Sequence, residues 1–292
     1  MKKVEIWQVD AFTRDLFGGN PAGVVPEANG LTESDMQNIA REMNLSETAF
    51  VLPPEKEGAD FRVRFFTPAA EVDLCGHATI AAFHTLAWKG AIRASEPFVS
   101  AVQQTFAGLL PVKIYFSQGS VKGVEMEQAP HEHCRALRSD KIAEIIGLPE
   151  ARLDPRFPIE CSYSGLWAVM IGVKEIADLE RLAVDRERIV SAAPDIAKLS
   201  GLYIFAWDGG KPRARFFVNP AYDIVEDPFT GTATGAFGGY LHKHGKLETG
   251  KYLLCRQGYE MGRPGEGEVK VEAGGKIVVR GGAVKVFRAE IG

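Results

Sequence analysis

The chain has 292 residues, 46% of them hydrophobic and 25% charged, with a formal net charge of -4. That composition excludes disorder, and the length favours two domains of roughly 100 to 150 residues each. The mildly acidic balance, with no stripe of Lys and Arg, excludes nucleic acid as a partner, and no apolar run approaches the length of about 18 residues that a membrane span needs.

The opening stretch MKKVEIWQVDAF alternates and reaches Asp10, so it reads as a strand and not as a signal peptide. A helix is predicted from Thr32 to Met43, with Asp35 three residues after Thr32 as an approximate capping box. It delivers the chain to NLSETAF, where Glu47 stands at the mouth of the predicted strand TAFVLPP. After the strand FRVRFF comes VDLCGHATIAAF, which sets a cysteine, a glycine and a histidine before an Ala-rich run. The helix ATIAAFHTLAWKG is apolar on nearly every face, which means burial, and Gly90 is its expected stop. Strands follow at LPVKIYF and GVEMEQ, and HEHC at His131 to Cys134 reads as a solvated connector. Beyond it lie LYIFAW, ARFFV, a second helix TATGAFGGYLHKHG, and the strands EVKVEA, KIVVRG and AVKVFRAE.

The two helices belong to a repeat. An offset of 155 matches Gly76 to Gly231, Ala78 to Ala233, Thr79 to Thr234, Leu86 to Leu241 and Gly90 to Gly245, and an Arg-Phe-Phe triplet precedes each copy at Arg64 and Arg215. A period of half the chain is too long for a solenoid and implies two similar domains, 1–128 and 129–292, the first open to completion by the C-terminal strand. Small residues at 233, 235, 236, 238 and 239 would let a sheet approach the second helix closely.

Three chemistries compete for the LCGHAT stretch. A metal site at Cys75 and His77 finds only Asp73 nearby as a further ligand, and HEHC lacks a second ligand pair. A symmetric pair of thiols is disfavoured because Thr230 stands where the repeat would put the second one. The four cysteines, Cys75, Cys134, Cys161 and Cys255, lie far apart without a CxxC pair and read as free thiols of a reducing, cytoplasmic protein. The third reading fits both copies: Gly76 and Gly231 each open a buried helix whose unpaired N–H groups favour a carboxylate. Against it stands the plainer possibility that Asp73 and Asp227 only cap these helices. GTATG lacks the ending of a phosphate loop, and no GxGxxG follows a strand, so a nucleotide cofactor is unsupported. Glu47, at the entrance of a buried strand, is one candidate general acid/base among many glutamates.

The motifs DAFTRDLFGGNPAGVV, NLSETAFV, RFFTPAAEVDLCGHAT and EDPFTGTATGAFGGYL together resemble the PhzF family of phenazine-biosynthesis-type isomerases. The resemblance runs from the first strand past the second helix. It implies an α+β, diaminopimelate epimerase-like fold: two pseudo-symmetric domains, each a β-sheet curled around a central helix, with the active site in the cleft between them. It places the family's catalytic glutamate on Glu47, its Gly-His pair on Gly76 and His77, and its acidic residue before the second helix on Asp227. Thr232 stands where the family often has serine, and Asn20 falls in the GGNPAG hallmark, where a turn role is an equal alternative. The expected substrate-binding residues are therefore Gly76, Gly231, Thr232 and Asn20, beside the catalytic set Glu47, His77 and Asp227. The implied reaction needs no cofactor and no metal: Glu47 moves a proton on a small, carboxylate-bearing, cyclic substrate. Family analogy adds a homodimer, with neither nucleic acid nor membrane as partner. Two alternatives stay open, a racemase or epimerase that uses Cys75 and a small-ligand binding protein that keeps the cleft.

Overall fold

The computed structural model describes residues 3–222 and 224–292. They divide into two compact units, one running up to Glu127 and completed by Arg280–Gly292, the other spanning Gln128–Val279.

The first unit begins with β1 (Val4–Ala11) and β2 (Asn20–Val25), which pair antiparallel, followed by α1 (Glu33–Met43). Thr32 caps α1 as the sequence predicts: its hydroxyl accepts from the Asp35 amide at 3.1 Å, and Asp35 Oδ2 accepts from the Thr32 amide at 2.9 Å. Helix α1 is the crossover that a parallel pair requires, and it returns the chain to β3 (Glu47–Leu52), parallel to β2. Next come β4 (Phe61–Phe66), antiparallel to β3, and the short β5 (Glu71–Val72) beside β4.

Helix α2 (Gly76–Trp88) is buried from His77 through Leu86, as its all-round apolarity requires, and Gly90 follows it at φ 75. The chain then forms β6 (Phe98–Thr105), parallel to β4, with β7 (Gly108–Ser117) and β8 (Ser120–Glu127) meandering on from it. Helix α2 touches β1, β2 and β3 at one end of this order and β8 at the other, so the sheet curls around it.

The second unit repeats the plan. Strand β9 (Glu132–Ala136) leads to α3 (Ser139–Ile146), then β10 (Glu160–Tyr163) and β11 (Trp167–Val173) pair antiparallel. The HEHC stretch is therefore solvated as expected but, from Glu132 on, lies in a strand paired with β10 and not in a connector. Short helices α4 (Ile176–Glu180) and α5 (Ile189–Ala192) carry the chain across to β12 (Leu199–Asp208), parallel to β11, as β3 is to β2. Strands β13 (Lys211–Val218) and β14 (Glu226–Asp227) stand where β4 and β5 stand in the first unit. Helix α6 (Gly231–Lys243) follows, then β15 (Tyr252–Gln257), parallel to β13, with β16 (Gly265–Val271) and β17 (Ile277–Gly281). The last strand, β18 (Ala283–Ile291), belongs to the first unit, where it pairs with β1 along the whole of that strand.

Matching side chains do matching work in the two halves. Arg64 holds Glu71 across β4 and β5, and Arg215 holds Glu226 across β13 and β14 at 2.7 Å. The Thr79 and Thr234 hydroxyls each donate to the carbonyl four residues back, Cys75 at 2.8 Å and Thr230 at 3.0 Å. The small residues of α6 admit their neighbours as expected: a Cβ on Gly238 would lie 2.3 Å from Val269 Cγ2 of β16.

Candidate active site

Two clusters gather the residues expected to act, one in each unit. The first is built from the start of β3 and the start of α2. Glu47 is the first residue of β3, and the parallel pairing with β2 sets it opposite Ala22. Its side chain keeps about a fifth of its surface exposed, at 22%, while the His77 side chain beside it keeps 9%. His77 Nε2 lies 3.3 Å from Glu47 Oε2 and 3.3 Å from Ser46 Oγ, and Nδ1 lies 3.4 Å from the buried sulfur of Cys75. The ring is thus hydrogen-bonded at both ends, Nε2 with the Ser46 hydroxyl and Nδ1 with the Cys75 thiol, and the Glu47 carboxylate stands beside Nε2.

Cys75 is the N-cap of α2, with an extended backbone, and its side chain makes no bond to the first turn. The N–H groups of that turn are consequently not covered by the cap. Gly76 is the first residue of the helix. A Cβ placed there would meet no atom within 4 Å, and its backbone is outside the left-handed region. Neither packing nor conformation therefore demands glycine at this position.

The second cluster lies at the start of α6. Thr230 is the N-cap, again without a cap bond from its side chain, and its hydroxyl donates to Asp227 Oδ2. Gln257 of β15, buried, donates from Nε2 to the Asp227 carbonyl at 2.7 Å and approaches the Thr230 hydroxyl at 3.4 Å. Asp227 is itself 9% exposed, and Thr232 on the first turn of α6 is half-buried against Gly165.

Asn20 is buried at the start of β2, opposite Ala11. The loop before it turns on Gly19 at φ 52, where a Cβ would fall 2.0 Å from the Ala11 carbonyl oxygen, so only glycine fits. Asp10, buried, steadies that loop by accepting from the Phe17 amide at 2.9 Å.

The sequence pointed to Asp73 as the third group near Cys75 and His77. The structure puts Asp73 on the surface and Glu47 beside the pair. Ser46 and Gln257 are the contributors that sequence reasoning passed over. The polar run NLSE carried a signal for Ser46. Gln257 sits in a strand, YLLCRQ, that alternation does not mark.

A sheet curled about a buried helix, made twice from one repeated plan, is a diaminopimelate epimerase-like fold. Residues 9–289 match the family model described as phenazine biosynthesis-like protein, PhzC-PhzF. Among curated proteins, the trans-2,3-dihydro-3-hydroxyanthranilate isomerase of Pseudomonas fluorescens is 33% identical over 287 residues, 97% of each chain. The uncharacterized isomerase YfhB of Bacillus subtilis is 34% identical over 96% of this chain and 94% of its own. Among solved structures, the PhzF-family phenazine biosynthesis protein of Bacillus anthracis superposes with a TM-score of 0.89 at 32% identity, covering 100% of this chain and 99% of the other. The chain belongs to the PhzC-PhzF family and is an isomerase. Among the described residues no helix is long and apolar enough to cross a membrane.

Proposed function

We propose that the chain is a cofactor-independent isomerase that relocates a proton on a small, cyclic, carboxylate-bearing substrate, with Glu47 as the acid/base. The contact that carries this reading is Glu47 Oε2 against His77 Nε2 at 3.3 Å. This sets a partly exposed carboxylate against a buried imidazole, where a ligand can meet both.

In this reading Glu47 removes a proton from an activated ring carbon. The His77 N–H steadies the carboxylate, and the resulting acid returns the proton at another position of the conjugated system. One positioned base of this kind contributes about 10² to 10⁴-fold. The uncapped first turn of α2, approached over the bare Gly76, suits a substrate carboxylate or developing negative charge. Asp227, Thr232, Gly231 and Asn20 are assigned to substrate orientation. Relatives named as isomerases of a cyclic amino acid, trans-2,3-dihydro-3-hydroxyanthranilate, support the substrate class. A racemase working through Cys75 is the weaker reading, because Thr230 replaces the second thiol and its hydroxyl is occupied with Asp227.

The test is deuterium uptake from heavy water into candidate cyclic amino and hydroxy acids. Wild type is expected to exchange, and Glu47→Gln to lose at least about 10²-fold in rate. Equal exchange by the two proteins removes Glu47 from the mechanism.

A further inference from the structure

We propose that Glu47, Cys75 and His77 form a site for a borderline-soft divalent ion such as Zn²⁺, and that filling it silences the proton transfer. One ligand atom from each of the three lies within 4.8 Å of the others. The sulfur and Nδ1 are already 3.4 Å apart. Tetrahedral zinc with its usual bond lengths sets a sulfur and a nitrogen ligand about 3.5 Å apart. The pair therefore already has the spacing that zinc imposes, and a turn of the ring or the thiol admits the ion between them. Glu47, with the most exposed of the three side chains, supplies the third bond by turning its carboxylate from the Nε2 edge of the ring toward the ion.

Ser46 strengthens the assignment. A metal-bound histidine uses its second ring nitrogen to donate to an oxygen, which fixes the tautomer. With Nδ1 on the ion, Nε2–H faces Ser46 Oγ, 3.3 Å away. Three protein ligands of sulfur, nitrogen and oxygen, with a fourth position left for water, match zinc and other late first-row ions and not Mg²⁺ or Ca²⁺. Binding converts the Cys75 thiol to a zinc thiolate and releases one proton to solvent. The ion occupies the carboxylate that the isomerase reading uses as its base, so silencing, unlike binding, rests on that reading.

Co²⁺ serves as the spectroscopic probe. Titrated into the full chain freed of metal with a chelator, it is expected to bind one per chain with a thiolate-to-cobalt charge-transfer band in the near ultraviolet, which Zn²⁺ then bleaches. Zn²⁺ should also protect Cys75 from alkylation, read by peptide mass spectrometry on the wild-type protein, so the result does not depend on any variant folding. Ser46→Ala should weaken Zn²⁺ binding by about 10 to 100-fold while leaving the sulfur band in place. Cys75→Ser should abolish the band. A cobalt complex without sulfur absorption, unprotected Cys75, or Zn²⁺ affinity unchanged in Cys75→Ser would overturn the site. Zn²⁺ bound through Cys75 with deuterium exchange undiminished would uphold the site and overturn silencing, and with it Glu47 as the base.

Discussion

Acidification should destabilise the first unit through one buried imidazole. His84 lies on α2, is 1% exposed, and has Nδ1 2.9 Å from the Ile80 carbonyl, to which the ring N–H donates. Burial away from water lowers its pKa from 6.5 to about 4, only partly offset by that hydrogen bond. The fold therefore prefers the neutral ring and the unfolded chain takes up the proton first. This contribution is intact above pH 6.5, falls as the pH drops below that value, and levels off under pH 4. Linkage between those two values gives a loss of roughly 2 kcal/mol at pH 5 and roughly 3 kcal/mol at pH 4.

The measurement is urea unfolding followed by circular dichroism between pH 7.5 and pH 4.5, comparing wild type with His84→Met. Methionine approximates the volume and cannot titrate. His131 in the second unit has its pKa lowered to about 4, chiefly by burial and then by His133 and Lys243, so it pushes stability the same way. It is common to both proteins and cancels in the difference, as do the carboxylates. Wild type should lose about 2 kcal/mol more than the variant between pH 7 and pH 5. Parallel curves, or a His84 ring that titrates near its ordinary value, would refute the argument.

Two further substitutions probe the frame around the site. Gly238→Ala should destabilise by about 1 to 3 kcal/mol, because the new methyl meets the Val269 side chain of β16 and α6 must move; calorimetry showing an unchanged midpoint would contradict that packing. Thr32→Ala removes the α1 capping box and should cost roughly 0.5 to 2 kcal/mol, with Thr32→Ser restoring most of it in the same chemical denaturation assay.

The architecture was legible where a pattern is local. The capping box of α1, the all-round apolarity of α2 and the offset of 155 between the two Gly-led helices each appear in the structure as read. What escaped were the strands buried on both faces or opened by a turn signal. Strand β11, WAVMIGV, is a continuous apolar run with no alternation, and β2 starts with Asn-Pro, which reads as a turn. Missing β2 hid the parallel pairing that sets Glu47 in place. Proximity across a β-α-β crossover leaves no trace in spacing: Glu47 and His77 are 30 residues apart and meet only because β3 runs beside β2 under α2. The same holds for Gln257 of β15, which reaches Asp227 of β14 because both strands pair with β13.

The pairing of β18 with β1 bears on the order of events during synthesis. The strand that closes one edge of the amino-terminal sheet is encoded only after the whole of the second unit. Val4 to Ala11 therefore wait with one edge unmated while the second unit is synthesised as one continuous stretch. The half translated second is the one free to finish first, and a nascent chain stalled before Ala283 would display an open edge that the finished enzyme conceals.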